Sequence, residues 1–365
     1  MKQPLPVPNP SPDYKWFERV IRGEEIPKRP PFVELFLDQE VLEEIVSNYL
    51  DRQWVPLSPN RDERRKYWDN YIEAYYRLGY DFVWIDGRVN FPSKTRKAED
   101  TAGLSRGTRH WDEEGAGAIT SWAEFEAYPW PSMTSFDLWD IEYVSGHLYE
   151  GMGMFVFPCR GFLEVPLEII FGYETFAMSL YDEPELVEAV CKRVGETIMA
   201  FYRQVVGADR LMGFFPGDDM GFRSATLIAP ADLRRLILPW HKQAASLAHE
   251  NGLLYMLHSC GQLESIMEDL IEDVKIDAKH SFEDAIIPVD EFKAQYGNRI
   301  AVLGGIDIDK LCRMPEADLR RHVRQVLERC MPGGRYALGS GNSVANYIPV
   351  TNYLAMLDEG YRFGR

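Results

Sequence analysis

Two side chains that commonly bind metal ions, His258 and Cys260, stand two residues apart in this chain. They follow the apolar run Leu253–Leu257, which is typical of a buried strand. Because alternate side chains of a strand point to the same face, both groups can reach one ion. Zn²⁺ prefers imidazole and thiolate ligands, and a catalytic zinc needs about three protein ligands and an open position. The pair therefore indicates a zinc site, and the alternative is a thiol that only fills apolar space.

Other polar side chains also follow apolar runs, and they are candidates for proton transfer or for contact with a substrate. The candidates for proton transfer are Asp218, Asp219 and His280. The candidates for contact with a substrate are Glu34, Asp86, Arg160, Asp307, Ser340 and Asn342. Strand ends face water in many folds, so the alternative for each of these residues is a solvated or structural polar group.

Short apolar runs that could carry these residues alternate with amphipathic helical patterns along the chain. The predicted strands are Phe32–Leu37, Asp81–Asp86, Met154–Cys159, Leu211–Phe215, Leu253–Leu257, Lys275–Lys279, Ile300–Leu303 and Tyr336–Leu338. The predicted helices are Gln39–Tyr49, Asp62–Leu78, Tyr173–Val206, Pro230–Asn251, Leu263–Glu272, Pro288–Tyr296, Glu316–Cys330 and Ile348–Tyr361. Continuous apolar runs are typical of strands that are covered on both faces, as in parallel sheets.

A strand followed by a helix, repeated eight times, predicts an α/β fold of the (β/α)8 TIM-barrel type. The rival is a doubly wound open sheet, but no Gly-x-Gly-x-x-Gly follows a strand. We predict a β-hairpin over Arg106–Ile119, inserted after strand two, where it would help to roof the pocket. We also predict an extended Pro-rich tail over residues 1–12 and a single barrel domain over residues 13–365.

Charge and composition argue against several classes of protein. A net charge of −17 argues against nucleic-acid binding, since that binding relies on Lys and Arg neutralising phosphates. No stretch approaches the roughly 20 apolar residues of a membrane span, and the first residues lack the order of a signal peptide. Five cysteines in 365 residues predict free thiols and not a disulfide framework. We therefore expect a cytoplasmic protein that does not bind membranes.

Several short motifs resemble the uroporphyrinogen decarboxylase superfamily, and most closely its corrinoid-dependent methyltransferase branch. They occur in the family order from about residue 29 onwards. The matching segments are Arg29-Pro30-Pro31-Phe32, Asp219 with Ile228-Ala229-Pro230, His258-Ser259-Cys260-Gly261, Lys293 with Tyr296-Gly297-Asn298-Arg299, Gly304-Gly305-Ile306-Asp307 and Pro332-Gly333-Gly334. The fold of the family is a (β/α)8 barrel, which agrees with the pattern of strands and helices.

The resemblance implies a zinc site made of a His-x-Cys pair and a distant Cys after the last strand. His258 and Cys260 match the pair, but Ser340 stands at the distant position, and serine is a much poorer zinc ligand. The residues that could complete the site are Glu164, Asp219 and Cys159, of which we assign Glu164. The remaining alternative is a protein that binds no tight zinc.

The decarboxylase that gives the superfamily its name recognises many carboxylates through an Arg-Gln-Ala-Gly-Arg stretch. This chain has the acidic and apolar run Phe32–Asp38 there, which would repel an anionic porphyrinogen. The sequence thus argues against porphyrinogen decarboxylation.

The leading hypothesis is methyl transfer between a small methylated compound and a corrinoid (cobalamin) on a partner protein that docks at the barrel mouth. For a methoxylated aromatic the reaction is an O-demethylation, with the bound metal as Lewis acid. The apolar wall is expected from Trp84, Trp111, Phe162 and Phe214. The alternatives are a non-catalytic binding homologue and a metal-independent lyase or decarboxylase. The residues of that lyase are Asp86, Arg88 and Arg160. A homodimer is the assembly that we expect if the chain is not a monomer.

Overall fold

The computed structural model describes residues 5–93, 95–105, 108–112 and 117–364. Seven parallel strands form one sheet, in the order β1-β4-β5-β6-β7-β8-β9, and two further strands, β2 and β3, form an antiparallel pair. The strands are β1 (Phe82–Asp86), β2 (Thr95–Glu99), β3 (Thr108–Asp112), β4 (Gly153–Phe157), β5 (Leu211–Phe214), β6 (Leu254–His258), β7 (Ala278–His280), β8 (Ala301–Leu303) and β9 (Tyr336–Ala337). Seven of the eight predicted runs therefore overlap a strand of the sheet, and the α/β architecture with a parallel sheet is confirmed.

The first predicted run, Phe32–Leu37, lies beside β9 but does not form a regular strand with it. Isolated β-bridges join the run to the residues that follow β9. Phe32 forms a parallel bridge with Leu338, and Leu37 forms one with Val344. Val33 N–H donates to the carbonyl of Leu338 at 2.9 Å. The curled seven-stranded sheet with this extra segment is consistent with a TIM-barrel-like fold.

The insertion after β1 contains the antiparallel pair of β2 and β3, in which Thr95 is opposite Asp112 and Glu99 is opposite Thr108. The hairpin predicted over Arg106–Ile119 lies partly outside the described residues, and it stays a prediction. Within that stretch the structure describes β3 and residues 117–119, and the partner of β3 is the earlier segment β2.

Helices follow most strands and cover the outer face of the sheet. The α-helices are α1 (Tyr14–Arg22), α2 (Gln39–Glu44), α3 (Arg61–Leu78), α4 (Trp122–Ala127), α5 (Trp139–His147), α6 (Tyr173–Asp182), α7 (Pro184–Val205), α8 (Pro230–Asp232), α9 (Leu238–Glu250), α10 (Val289–Tyr296), α11 (Ile308–Arg313), α12 (Glu316–Cys330) and α13 (Val350–Arg362). Wider π-helical turns occur at Ile45–Tyr49, Val165–Phe171, Leu233–Ile237 and Asp269–Val274, and a 3₁₀ turn occurs at Glu264–Ile266. The predicted helix Tyr173–Val206 is divided in two at Pro184, which lacks the N–H that a continuous helix needs.

An inner apolar cluster fills the concave side of the sheet with side chains from all seven strands and from the segment before α2. Its members include Val33, Leu35, Phe82, Phe155, Met212, Leu254, Ala278, Ala301 and Ala337. The amino end of this cluster is covered by α1, whose Phe17 is fully buried. The Phe17 ring lies 4.9 Å from the ring of Phe82 and 6.2 Å from that of Phe155. The opposite, carboxyl ends of the strands remain available for a site.

The residues before α1 lie against the body of the protein. Val7 is buried in the outer core, and a Cβ on Gly79 would stand 2.6 Å from its side chain. The described part of the predicted tail is thus held by its own chain. Within the part of the chain that the structure describes, no helix combines the length and the apolar character needed to cross a membrane.

Candidate metal centre

Three potential metal ligands meet where β5 and β6 end. Among the described residues, Asp219, His258 and Cys260 are the group whose ligand atoms all lie within 4.8 Å of one another. The Sγ of Cys260 is 3.4 Å from Nε2 of His258, and that nitrogen is 3.5 Å from Oδ1 of Asp219. Asp219 follows β5, whereas the other two ligands come from the end of β6 and the residues beyond it.

These distances fit a tetrahedral zinc ion. Zn–S and Zn–N bonds of about 2.3 and 2.0 Å place sulfur and nitrogen about 3.5 Å apart on the edge of a tetrahedron. The corresponding nitrogen–oxygen edge is about 3.4 Å. The measured donor–donor distances of 3.4 and 3.5 Å are close to these edges. Three protein donors would leave a fourth position open, as in catalytic zinc sites.

A chain of hydrogen bonds sets the proton positions on His258. Nε2 of His280 lies 3.2 Å from the carbonyl oxygen of Ser340, which can only accept, so Nε2 carries the hydrogen. Burial lowers the pKa of His280 well below its usual range, so its Nδ1 is a bare acceptor. Nδ1 of His258 is 2.8 Å away and therefore donates to it. The lone pair of His258 is left on Nε2, the atom that faces Asp219 and Cys260.

The thiol of Cys260 is surrounded by hydrogen-bond donors. Ser281 Oγ donates to its Sγ at 3.3 Å, and Asn342 Nδ2 donates to it at 3.2 Å. Burial and the nearby carboxylate of Asp219 raise the pKa of this thiol to about 12 in the absence of a cation. A zinc ion bound here would displace this proton, and the two donors would stabilise the thiolate. The donor set thus fits a zinc ion.

Glycines allow the two loops that carry the ligands to touch. Gly261 has φ +81°, which disfavours side chains, and a Cβ there would lie 2.2 Å from the carbonyl carbon of Gly221. A Cβ on Gly221 would lie 2.7 Å from the carbonyl oxygen of Cys260. This close approach lets Cys260 N–H donate to Oδ1 of Asp219 at 2.8 Å, which brings the carboxylate to the centre.

Asp218, predicted to transfer protons, holds the framework of the site. Its side chain is fully buried, and its oxygens accept from the N–H groups of Leu163 and Glu164 at 3.0 to 3.1 Å. Its Oδ2 is also 2.7 Å from Nε2 of His241. These contacts direct Asp218 away from Asp219 and its partners, so its position does not support a catalytic role.

Ser340 and Glu34 form a buried pair beneath the centre. The N–H and Oγ of Ser340 donate to the two carboxyl oxygens of Glu34 at 2.8 and 2.5 Å. The hydroxyl is therefore directed at Glu34, and Asn342 presents the nearer polar group to Cys260. Burial raises the pKa of Glu34 to about 8. These hydrogen bonds tie Glu34 to the segment that follows β9, and contact of either residue with a substrate stays a prediction.

The other predicted site residues are dispersed. Asp307 is the N-cap of α11 and accepts from Lys310 N–H, which is a structural role. Arg160 forms an ion pair with Glu168. Glu164, predicted as the third metal ligand, is not in the group within 4.8 Å. Burial and the carboxylates of the two neighbouring aspartates raise its pKa well above the usual range, so it is near the centre without being part of it.

An aromatic recess opens beside the end of β1. The ring of Trp84 stacks on that of Phe157 at 3.6 Å and on that of Phe36 at 5.5 Å, and its Nε1 donates to the carbonyl of Phe215 at 3.0 Å. The cavity has a volume of about 470 Å³. Its lining includes Phe36, Leu57, Tyr67, Trp68, Tyr71, Trp84, Asp86 and Arg88. Because Phe215 follows β5, the indole extends from β1 towards the side of the mouth where the metal ligands lie.

The other aromatic residues predicted for this wall lie elsewhere. Phe162 is buried 4.9 Å from the ring of His241, and Phe214 is buried 4.0 Å from the ring of Tyr202. Both belong to the core. The side chain of Trp111 lies outside the described part of the chain.

Sequence reasoning missed Ser281, which contacts Cys260, and Lys279, which is buried in β7. A lysine at the end of the predicted strand Lys275–Lys279, directly before His280, was the available signal. Lysine is rarely buried without a specific role.

The family model described as uroporphyrinogen decarboxylase (URO-D) matches residues 160–363. No curated protein sequence matches the chain. Among solved structures, a methyltransferase from Methanosarcina mazei is similar at 16% identity and a TM-score of 0.67, covering 94% of this chain and 96% of that one. A putative vitamin-B12-independent methionine synthase from Listeria monocytogenes is similar at 12% identity and a TM-score of 0.51, covering 92% and 98%. At these identities the structural likeness shows a shared fold.

Proposed function

Because this chain belongs to the uroporphyrinogen decarboxylase (URO-D) family, we propose that it is a methyltransferase whose zinc ion is held by Asp219, His258 and Cys260. The observation that carries the proposal is the meeting of an oxygen, a nitrogen and a sulfur donor within 4.8 Å at the carboxyl ends of the strands. The similar fold of the Methanosarcina mazei methyltransferase supports the same class of reaction.

The substrate side of the reaction is a small methylated compound, and a methoxylated aromatic suits the recess best. Zinc at this centre supplies a Lewis acid for the heteroatom that bears or receives the methyl group. The rings of Trp84 and Phe36 line the recess and offer apolar surface to an aromatic ring, while Phe157 stacks on Trp84 from the core. His258, Cys260 and Asp219 would hold the ion, each through one ligand atom.

The second reactant is the cobalt of a corrinoid carried by a partner protein, which approaches over the carboxyl ends of the strands. The exposed ring of Phe222, 65% accessible in the loop after β5, lies at this side of the molecule. Its carbonyl accepts from Gln262 N–H at 2.7 Å, which places Phe222 beside the loop of Cys260. A partner docked over this loop reaches the open position of the centre.

The metal-independent lyase is less well supported. Its two proposed arginines are already engaged, since Arg88 pairs with Asp140 at 3.1 Å and Arg160 pairs with Glu168. A carboxylate substrate would therefore have to share each guanidinium with an existing carboxylate partner.

Elemental analysis tests the proposal. Wild-type protein is expected to hold about one zinc per chain, and Asp219→Asn, His258→Ala and Cys260→Ala are each expected to lose most of it. Glu164→Gln, a nearby carboxyl outside the donor set, is the matched control and should keep the metal. Zinc-loaded protein should transfer methyl groups from a methoxylated aromatic to added cob(I)alamin, followed by absorbance. The proposal would be overturned if the purified wild-type protein contained no zinc, or if the three variants kept the zinc content of the wild type.

A further inference from the structure

A second cavity lies next to the metal centre, between the loops that follow β6 and β7 and the helix α10. Its volume of about 210 Å³ corresponds to about seven waters. The base of the cavity is apolar and aromatic, and it includes Leu263, Met267, Phe282, Phe292 and Tyr296. None of the three proposed zinc ligands lines it, so this cleft is distinct from the centre.

Lys279 lines this cleft from β7 and is 4% exposed. Its Nζ donates to the carbonyl oxygens of Ser281 at 2.6 Å and Ser259 at 3.4 Å. An ammonium has three N–H donors, so one remains without a hydrogen-bond acceptor among the described residues. The same nitrogen lies 4.4 Å from the ring centroid of Phe282 and 5.5 Å from that of Phe292, two rings of the cleft.

The charge of Lys279 is not matched by a contact of opposite sign. Among the described residues, no carboxylate lies within 4.0 Å of its Nζ, in contrast to the many surface lysines and arginines that are paired. A buried charge is costly unless a counter-charge and hydrogen bonds compensate it. An anionic group placed in the cleft would supply both, because Lys279 lines the cleft and one of its N–H groups has no acceptor among the described residues.

The rim of the cleft limits the charge of its occupant. Glu264, Glu283 and Glu291 line the outer part and are exposed. Three carboxylates repel a ligand with several negative charges, whereas a single carboxylate at the base stays close to Lys279 and leaves only an uncharged body near the rim. The rings of Phe282 and Phe292, whose centroids are 5.0 Å apart, pack on each other and form an apolar surface at the base for one ring of a ligand.

We propose that this cleft is a binding site for a small monocarboxylate with one apolar ring, whose carboxylate pairs with Lys279. The site does not use the zinc ion, so it stands apart from the methyl-transfer proposal and can be tested on metal-free protein.

Isothermal titration calorimetry of the full-length, metal-free protein tests the site with benzoate as the probe. Benzoate is expected to bind at least tenfold more tightly than benzamide, its neutral counterpart, and than phthalate, which carries two charges. Lys279→Met should weaken benzoate at least tenfold. Glu283→Gln should leave benzoate unchanged or tighter and improve phthalate.

Lys293→Met is the matched control. Lys293 is also buried and also donates to two backbone carbonyls, those of Gly297 at 3.2 Å and Gly334 at 2.6 Å, but it does not line the cleft. Its variant should bind benzoate as the wild type does. Equal benzoate affinity in Lys279→Met and wild type, equal affinity for benzamide, or no benzoate binding at millimolar concentration would overturn the proposal.

If Lys279→Met does not fold, Ile287→Trp decides the question, because the indole fills the cleft from its wall without removing a buried charge. Loss of benzoate binding in this variant supports the site. Retained binding overturns it.

Discussion

His280 acts on the proposed metal centre through the hydrogen bond that its Nδ1 accepts from His258. The two Nδ1 atoms are 2.8 Å apart, and the carbonyl of Ser340 fixes the tautomer of His280. His280 is therefore a positioning residue, because it holds the lone pair of His258 on the nitrogen that faces the other ligands.

We expect His280→Phe to weaken zinc binding by about 10- to 100-fold, since outer partners of metal-binding histidines have effects of this size. His280→Gln, whose side-chain oxygen can accept the Nδ1 hydrogen of His258, should recover most of the affinity. Competition with a chromophoric chelator measures both constants. Equal zinc affinity in the Phe variant and the wild type would show that the tautomer does not depend on His280.

Glu34 links stability to pH. Its pKa is raised from 4.5 to about 8 by burial, so the folded protein holds a proton that the unfolded chain releases above about pH 4.5. The contribution of Glu34 to the free energy of unfolding is fully present at low pH. It falls by roughly 1 kcal/mol per pH unit between about pH 5 and 8. Glu34→Gln removes this dependence while it keeps a partner for Ser340.

Urea denaturation of both proteins at several pH values between 5 and 8 measures the effect. The variant is expected to gain stability relative to the wild type as the pH rises. A difference between the two proteins that stays constant over this range would mean that Glu34 is already ionised in the folded state.

At the level of single residues, spacing alone predicted that His258 and Cys260 face the same way. It could not select Asp219 over Glu164 as the third donor, because that choice depends on where the loop of Gly221 crosses the loop of Gly261. The sequence also could not predict which nitrogen of His258 carries the hydrogen. That depends on the carbonyl of Ser340, which lies 82 residues further along the chain.

The adjacent residues Asp218 and Asp219, in the loop after β5, make contacts with different parts of the molecule. Asp218 ties the segment after β4 to α9, through the N–H groups of Leu163 and Glu164 and the ring of His241. Asp219 faces the metal centre instead. A Cβ on Gly161 would lie 2.1 Å from the Asp218 side chain, which shows how closely these elements pack.

Asp218→Asn is expected to lower the free energy of unfolding by about 2–3 kcal/mol, because it weakens hydrogen bonds to a buried charge. Its zinc content should stay as in the wild type. Asp219→Asn, the matched neighbour, should lose zinc while the metal-free protein keeps its stability to within about 0.5 kcal/mol. Loss of turnover in Asp218→Asn with unchanged stability would restore the catalytic role that the sequence suggested.

The strands and helices were predictable to the extent that the chain has local signals for them. Apolar runs identified the seven strands of the sheet, and α12 has the predicted bounds Glu316–Cys330. The first run, Phe32–Leu37, has the same composition but forms only isolated bridges, because ladder formation depends on neighbours and not on the run itself. Pro184 divides a helix whose apolar pattern continues across it.

At the scale of the molecule, α1 stabilises the sheet from the end opposite the metal centre. The fully buried ring of Phe17 contacts the aromatic layer of β1 and β4 through Phe82 and Phe155. Phe17 therefore belongs to the inner apolar cluster, although the strands that it contacts lie much further along the chain.

Phe17→Ala should therefore cost about 3–5 kcal/mol, the usual range for a large ring lost from a core. Chemical denaturation measures the loss, and Phe17→Leu should recover part of it. Because α1 covers the amino end of the strands, the zinc affinity of the folded variant should not change. A large drop in zinc affinity would mean that the two ends of the sheet are coupled.

The contact between Glu34 and Ser340 joins points 306 residues apart, and it has a consequence for how the protein is made. At 5–20 residues per second, a ribosome needs roughly 15–60 s to translate the stretch between them. For the last 80 residues of that stretch, roughly 4–16 s at the same rate, the nascent chain carries His258 and Cys260 without Asn342 and the Ser340 carbonyl, and the interior of the unfinished sheet faces water. Chaperones that bind exposed apolar strands can act in this interval, and the proposed metal centre reaches its final form only after the interval ends.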